Sequence, residues 1–289
     1  MSAPRAEQYS LNAKQFKTLC TMVYDMTGIV LADSKQEMVY RRLMRRIREL
    51  KIASFSLYFD LLQSNESDEL RHFVNAITTN LTSFFRECHH FDYLKESFLP
   101  SHLTSQGANS RLRIWSTACS TGEEPYSIAI TLADFFGGKL SGWDAKILAT
   151  DIDTNVLAKA KAGVYSADRV GNIEPEIVRR WFLKSKNKST TEVKVSTALQ
   201  SLITFKPLNL IGTWPMCGPF DVIFCRNVLI YFDKTTQQAL LHRFVEMLRP
   251  GGVLMLGHSE SVAKGYEQLL AVGKTTFIKR TEAALAHAR

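Results

Sequence analysis

From Arg111 onward the chain alternates short apolar runs with helix-patterned segments, and this alternation constrains the fold more than any other feature. It reads as strand Leu112–Ser116, helix Glu123–Phe136, strand Lys146–Thr150, helix Asn155–Ala162 capped by Thr154 and Gly163, strand Asp221–Cys225, helix Lys234–Leu248 capped by Asp233, and strand Gly252–Leu256. Strands joined by helices of this length build right-handed βαβ units and a parallel sheet, so an α/β class is expected. The alternating run Thr275–Arg280 fits an antiparallel edge strand. Two further alternating runs, Glu192–Ser196 and Leu202–Lys206, joined by TALQS, fit a hairpin inserted into the α/β pattern.

Ahead of Arg111 the patterns are helical. Phe16, Leu19, Cys20, Val23 and Met26 recur at three-to-four spacing within Asn12–Thr27, and Gly28 fits the C-terminal cap. Ser34-Lys35-Gln36-Glu37 fits a capping box for a helix over Gln36–Leu50. Its apolar stripe is Val39, Leu43, Ile47 and Leu50, and Arg41, Arg42, Arg45, Arg46 and Arg48 supply a basic face. Short helices fit Phe55–Gln63 and Asp68–Thr78, begun by Ser54 and Ser67. The cluster Thr78–Arg86 breaks the helical spacing and reads as an extended connector. A linker helix over Glu87–Leu99 is expected to end at Pro100, and the adjacent histidines His89 and His90 are placed on its surface.

Composition narrows the chemistry. Five cysteines lie apart without a CxxC pair, and seven histidines form no HExxH pattern, so neither disulfides nor a metal site is expected. No apolar run reaches a membrane span and the start lacks a signal-peptide pattern, so a cytoplasmic protein is expected. The net charge of +8 calls for an acidic partner: nucleic acid, an anionic lipid surface or an acidic protein.

The first strand-to-helix turn reads STGEEPY, with Glu123 and Glu124 at the start of the helix. A helix N-terminus suits an anion, but these acids repel phosphate. The turn has one glycine where a dinucleotide fingerprint needs three, and no GK[ST] follows. Ligands of open parallel sheets bind beyond the C-terminal strand ends. The second such end carries Asp151, suited to a ribose diol, and the fourth carries Arg226 and Asn227. A phosphate-free, cationic nucleoside satisfies all three loops, and S-adenosylmethionine is such a molecule. Taken singly, Glu123 and Glu124 serve equally well as first-turn acids and Asp151 as a cap, and Cys119 has no activating base nearby and is read as packing.

The strings TTNLTSFFRE (Thr78–Glu87), STGEEPYSIAI, ATDID (Ala149–Asp153), FDVIFCRNVLIYFD (Phe220–Asp233) and LRPGGVLMLGHSE (Leu248–Glu260) resemble the CheR family, bacterial glutamate O-methyltransferases of methyl-accepting chemotaxis receptors. The resemblance implies a Rossmann-like class I methyltransferase domain, a small all-α N-terminal domain and an inserted antiparallel β-subdomain. On this chain those correspond to residues 80–289, 1–79 and 187–206, with residues 80–110 as connector and linker helix. It implies S-adenosylmethionine contacts from Asn80, Thr82, Arg86, Glu124, Asp151, Asn209, Leu210, Arg226 and Asn227, with Arg86 and Tyr231 at the transferred methyl group and S-adenosylhomocysteine as product. It implies chemoreceptor cytoplasmic domains as partners, docked on Arg41, Arg42, Arg45, Arg46 and Arg48, with a receptor C-terminal peptide as a second contact through the β-subdomain. Neither nucleic acid nor membrane insertion is implied, a monomer is the default, and location is cytoplasmic at receptor arrays. A glutamate is already ionised at neutral pH, so the reaction needs no general base, in keeping with the absence of a Ser/His/Asp or Cys/His set. The alternatives are a nucleic-acid methyltransferase, which the basic charge favours but the missing [DN]PP[YF] string opposes, and a module that senses S-adenosylmethionine without catalysis.

Overall fold

The structure, a computed structural model, describes residues 11–64, 68–106, 111–138, 143–185, 191–262 and 266–281. Ser67, the outer boundaries at 110 and 187, the first ten residues and the tail from 282 lie outside them. The chain divides into two compact units: one runs to Thr79 and takes in Tyr231–Thr236, and the other holds Asn80–Ile230 with the remainder.

The first unit contains helices Ala13–Thr27, Gln36–Glu49, Phe55–Gln63 and Glu69–Ile77. Phe16, Leu19, Val23, Val39, Leu43, Ile47, Tyr58 and Phe73 are buried, each apolar side chain contributing about 1.5–3 kcal/mol. Gly28 closes the first helix at φ 73°. The expected capping box at Ser34 is absent: a 3₁₀ turn, Asp33–Lys35, leads into the second helix with no side-chain cap, and Glu37 pairs with Arg41 instead. A capping box does form at Asn12 and Gln15, which bond each other's backbone N–H.

In the second unit a seven-stranded sheet has the order β6-β2-β1-β7-β8-β10-β9. Its members are β1 (Leu112–Ser116), β2 (Ala145–Asp151), β6 (Ile203–Pro207), β7 (Phe220–Cys225), β8 (Leu248–Leu256), β9 (Leu269–Gly273) and β10 (Thr276–Lys279). The first five run parallel, and β10 pairs antiparallel with both β8 and β9. Every residue of β7 is buried, as a central parallel strand requires. Helix Thr154–Ala162 is capped by Asp153, whose carboxylate accepts from the Asn155 and Val156 N–H groups, rather than by Thr154.

Three other expectations change. The run near Thr276 is not the edge strand, because β9 pairs outside it. The hairpin over Glu192–Lys206 does not form. Its first half is β5 (Glu192–Val195), the centre of a small antiparallel sheet with β3 (Val164–Ser166) and β4 (Phe182–Lys184), whereas its second half is β6, parallel to β2. The inserted sheet is therefore drawn from residues 164–195, and β6 belongs to the main sheet. Finally, the linker helix does not stop at Pro100. A π-turn over Leu94–Phe98, with Leu99 N–H bonded to the Leu94 carbonyl, precedes a helix over Leu99–Gln106 that contains the proline near its start, where a missing N–H costs little.

Candidate active site

Parallel pairing aligns the C-terminal ends of β6, β2, β1 and β7: Asp151 lies opposite Pro207, Ser116 opposite both Ala149 and Phe224. The loops leaving these ends carry most of the residues singled out above. In the first, Gly122 turns at φ 99°, and a Cβ there would lie 2.8 Å from the Tyr165 hydroxyl and 2.9 Å from the Ala160 methyl. Glycine is the residue that meets both demands. Glu123 and Glu124 then point to different partners. Glu123 is buried against Arg169 and accepts the Thr121 hydroxyl at 2.6 Å. Glu124 accepts from Ser116 Oγ at 2.7 Å and from Arg226 Nη1 at 3.1 Å.

Arg226 is shared. Its guanidinium lies 3.5 Å from Glu87 Oε2, donates to the Arg86 carbonyl and sits over the Phe91 ring. Glu87 in turn accepts from Asn227 Nδ2 at 3.2 Å and meets His258 Nδ1 at 3.0 Å. Burial raises Glu87, but Arg226, His258 and Asn227 outweigh it and hold its carboxyl down at about 2. Burial wins at Glu124, whose pKa is raised despite Arg226 and Ser116. One guanidinium thus serves two carboxylates, leaving the cluster net negative. Glu260 fixes the last loop by accepting the N–H groups of Gly257, Asn227 and Leu229 at 2.6, 3.0 and 2.7 Å.

Asp151 accepts from the Ser120 and Asp153 N–H groups at 2.8 and 2.9 Å, one per oxygen, and burial pushes its pKa up to about 6 against those bonds. Each oxygen keeps an acceptor site for a further donor. The connector joins at the same place: Asn80 donates to Asp153 at 2.8 Å and receives the Ser120 hydroxyl on its carbonyl at 3.0 Å, and the Thr82 carbonyl accepts from Arg169 at 2.9 Å. The loop after β6 is tied in by Leu208 N–H to the Asp151 carbonyl at 2.9 Å, which sets Asn209 and Leu210 beside this edge. Phe85, Glu87, Ser120 and Asn227 all have φ between 49° and 57°, a left-handed conformation costing non-glycine residues about 1–2 kcal/mol each. Their concentration in these loops marks a site whose surroundings hold strained backbone.

Two candidates stand apart from this cluster. The Arg86 side chain donates to the Leu81 carbonyl at 3.0 Å and is about a third exposed (32%), and Tyr231 belongs to the helical unit, where its carbonyl accepts from Val30 N–H. The five arginines separate into two groups. Arg42 donates to the Ile77 and Thr78 carbonyls at 2.7 Å, closing the last turn of helix Glu69–Ile77, and Arg46 pairs with buried Glu69 at 2.7 Å. Arg41, Arg45 and Arg48 are exposed, and the first two make only surface pairs with Glu37 and Glu49. Glu87, Glu260, Asp153 and Arg169 were not anticipated. Glu87 and Glu260 end two of the motif strings, so position was available but partners were not. His90 is buried, not on the surface, and burial drives its pKa down to about 3. Glu87, His89 and His90 bring ligand atoms within 4.8 Å of one another, but the Arg226 guanidinium beside them opposes a cation.

The donor set fits S-adenosylmethionine: acceptors at Asp151 for a diol, and a net-negative, phosphate-repelling carboxylate cluster for a cation. The family model "CheR methyltransferase, SAM binding domain" matches residues 80–278, and "CheR methyltransferase, all-alpha domain" matches residues 14–78. The chemotaxis protein methyltransferase of Escherichia coli is 44% identical over 94% of this chain and 92% of that relative. Chemotaxis protein methyltransferase 2 of Pseudomonas aeruginosa is 43% identical over 94% of this chain and 95% of that relative. Among solved structures, the N-methyltransferase NodS of Bradyrhizobium japonicum covers 68% of this chain and 97% of its own, at 15% identity and a TM-score of 0.38, and adds nothing to the assignment. With both family models spanning the two units and relatives matching nearly end to end, the chain belongs to the CheR family of S-adenosylmethionine-dependent methyltransferases.

Proposed function

We propose that the protein methylates glutamate side chains of chemoreceptor cytoplasmic domains, giving γ-methyl esters for chemotactic adaptation. The observation that carries the cofactor half is the pair of buried carboxylates, Glu124 and Asp151, at adjacent parallel strand ends. The chemotaxis methyltransferase relatives support the receptor half. When bound, the cofactor supplies an electrophilic methyl carbon: the substrate carboxylate oxygen bonds to it as the carbon–sulfur bond breaks, and the electron pair leaves on a neutral thioether. Charges cancel and no proton moves, so the chain needs no general base and instead supplies alignment and exclusion of water.

In this reading Asn80, Thr82 and the Arg226–Asn227 turn frame the methionine half, Asp151 receives the ribose hydroxyls, Asn209 and Leu210 flank the adenine, and Arg86 and Tyr231 orient the incoming carboxylate. The exposed stripe Arg41, Arg45, Arg48 repeats at i, i+4, i+7 and suits an acidic helical bundle, whereas Arg42 and Arg46 hold their own unit together. The β5-centred sheet is the place for a receptor C-terminal peptide to add as a strand. The protein acts in the cytoplasm at receptor arrays, as a monomer.

The test is transfer of labelled methyl to a receptor cytoplasmic fragment. Label released by mild base as methanol, and lost with Glu→Gln receptor, supports the reading. Base-stable label, or label on RNA, overturns it in favour of a nucleic-acid methyltransferase, which the same basic stripe would also suit. Binding of the cofactor without transfer to either would leave a sensing module.

A further inference from the structure

The loop between β6 and β7, residues 208–219, has no regular secondary structure beyond a turn at Asn209–Gly212. On one side it is pinned to the sheet edge through Leu208 and Asp151. On the other it borders an open cavity of about 520 Å³ whose wall includes Trp214, Met216 and Met247, so packing alone does not impose its shape. Arg243, from helix Lys234–Met247, reaches across this gap. Nη1 donates to the Leu210 carbonyl and Nη2 to the Gly212 carbonyl, both at 2.7 Å, and the guanidinium carbon lies 3.7 Å from the centre of the Trp214 ring. Trp214 Nε1 donates to the same Leu210 carbonyl at 3.0 Å.

We infer that Arg243 is a positioning residue for cofactor binding: its planar fork, stacked on Trp214, holds the backbone on both sides of Ile211 so that Asn209 and Leu210 present a preformed surface to the adenine. This rests on the proposed adenine placement at that loop. Charge-assisted bonds from one rigid fork fix two carbonyls at once, which a lysine, with a single flexible point charge, cannot reproduce. Without the fork, the loop must be ordered at the moment of binding, and affinity carries that cost.

The experiment compares Arg243→Lys, Trp214→Phe and Asn209→Ala with wild type, using S-adenosylhomocysteine and 5′-methylthioadenosine as calorimetric ligands. Arg243→Lys is expected to weaken both ligands by the same factor, about tenfold, since the adenosine half is common to them. KM for S-adenosylmethionine rises correspondingly while kcat and KM for receptor change little, and the unliganded melting temperature holds. Trp214→Phe, which keeps the stacked ring but loses the indole donor, shifts affinity in the same direction by less. Unchanged affinity in Arg243→Lys, or a parallel fall in kcat, affinity and unliganded melting temperature, overturns the positioning role. If Asn209→Ala weakens neither ligand, the adenine placement fails and the positioning role with it. If Asn209→Ala weakens both and Arg243→Lys neither, only the positioning role fails.

Discussion

Arg226 stands between Glu87 and Glu124 with only 2% of its side chain exposed, so removing it strands two buried acids. Arg226→Met should cost about 3–5 kcal/mol, seen as a lower urea midpoint, and adding Glu87→Gln should recover part of the loss. Recovery of nothing would show that the two residues do not act as a pair. Asp151 has a different pH signature. Its pKa, raised by burial to about 6, means that in the unliganded protein its contribution to stability is present below its unfolded value and is lost as pH rises through about 6. A ligand that needs the ionised acceptor should bind progressively less tightly as pH falls through about 6, and Glu124, also raised, acts in the same sense. Calorimetry of S-adenosylhomocysteine between pH 7.5 and 5 measures this, with Asp151→Asn expected to be weak and flatter. Glu124 and Asp151 were legible in the sequence because strand ends are local features. Glu260 was not, because its three acceptor bonds reach back 33 residues or close a turn, and no local pattern encodes that return.

At the level of elements, helix Gln36–Glu49 has two basic faces with different tasks. Reversing Arg41 and Arg45 to Glu should raise KM for receptor severalfold and leave cofactor affinity and melting temperature unchanged, since their pairs are exposed and worth little. Arg46→Glu should instead unfold the helical unit by about 3–5 kcal/mol, because Glu69, 5% exposed in its side chain and also bonded by Tyr58, would face a like charge. Thermal melts monitored by circular dichroism separate the two cases. The strands were legible as strands from their alternation, but their partners were not. EVKVS and LITFK look like a hairpin because alternation specifies which face is buried and not which strand lies alongside. The helix beyond Leu99 was hidden for a related reason: proline reads as a stop, and the π-turn that admits it depends on hydrogen bonds rather than composition.

Over the whole molecule, family models and compact units divide the chain at the same point, after residue 79. The exception is the segment Tyr231–Thr236, which belongs to the helical unit although the chain on either side of it does not. Three contacts hold it there: Val30 N–H to the Tyr231 carbonyl at 2.8 Å, an isolated bridge between Ile29 and Phe232, and the Tyr24 hydroxyl to Asp233 Oδ2 at 2.8 Å. A fragment starting at Asn80 keeps this segment and discards all three partners. It should bind S-adenosylhomocysteine like the full chain yet show faster amide exchange over residues 231–236 and slower turnover. Full turnover by that fragment would exclude a role for the anchored segment. Cutting at Thr79 therefore does not separate a reader from an engine: the helical unit lends the catalytic half a piece of its own framework, and evolution can exchange the two only as a matched set.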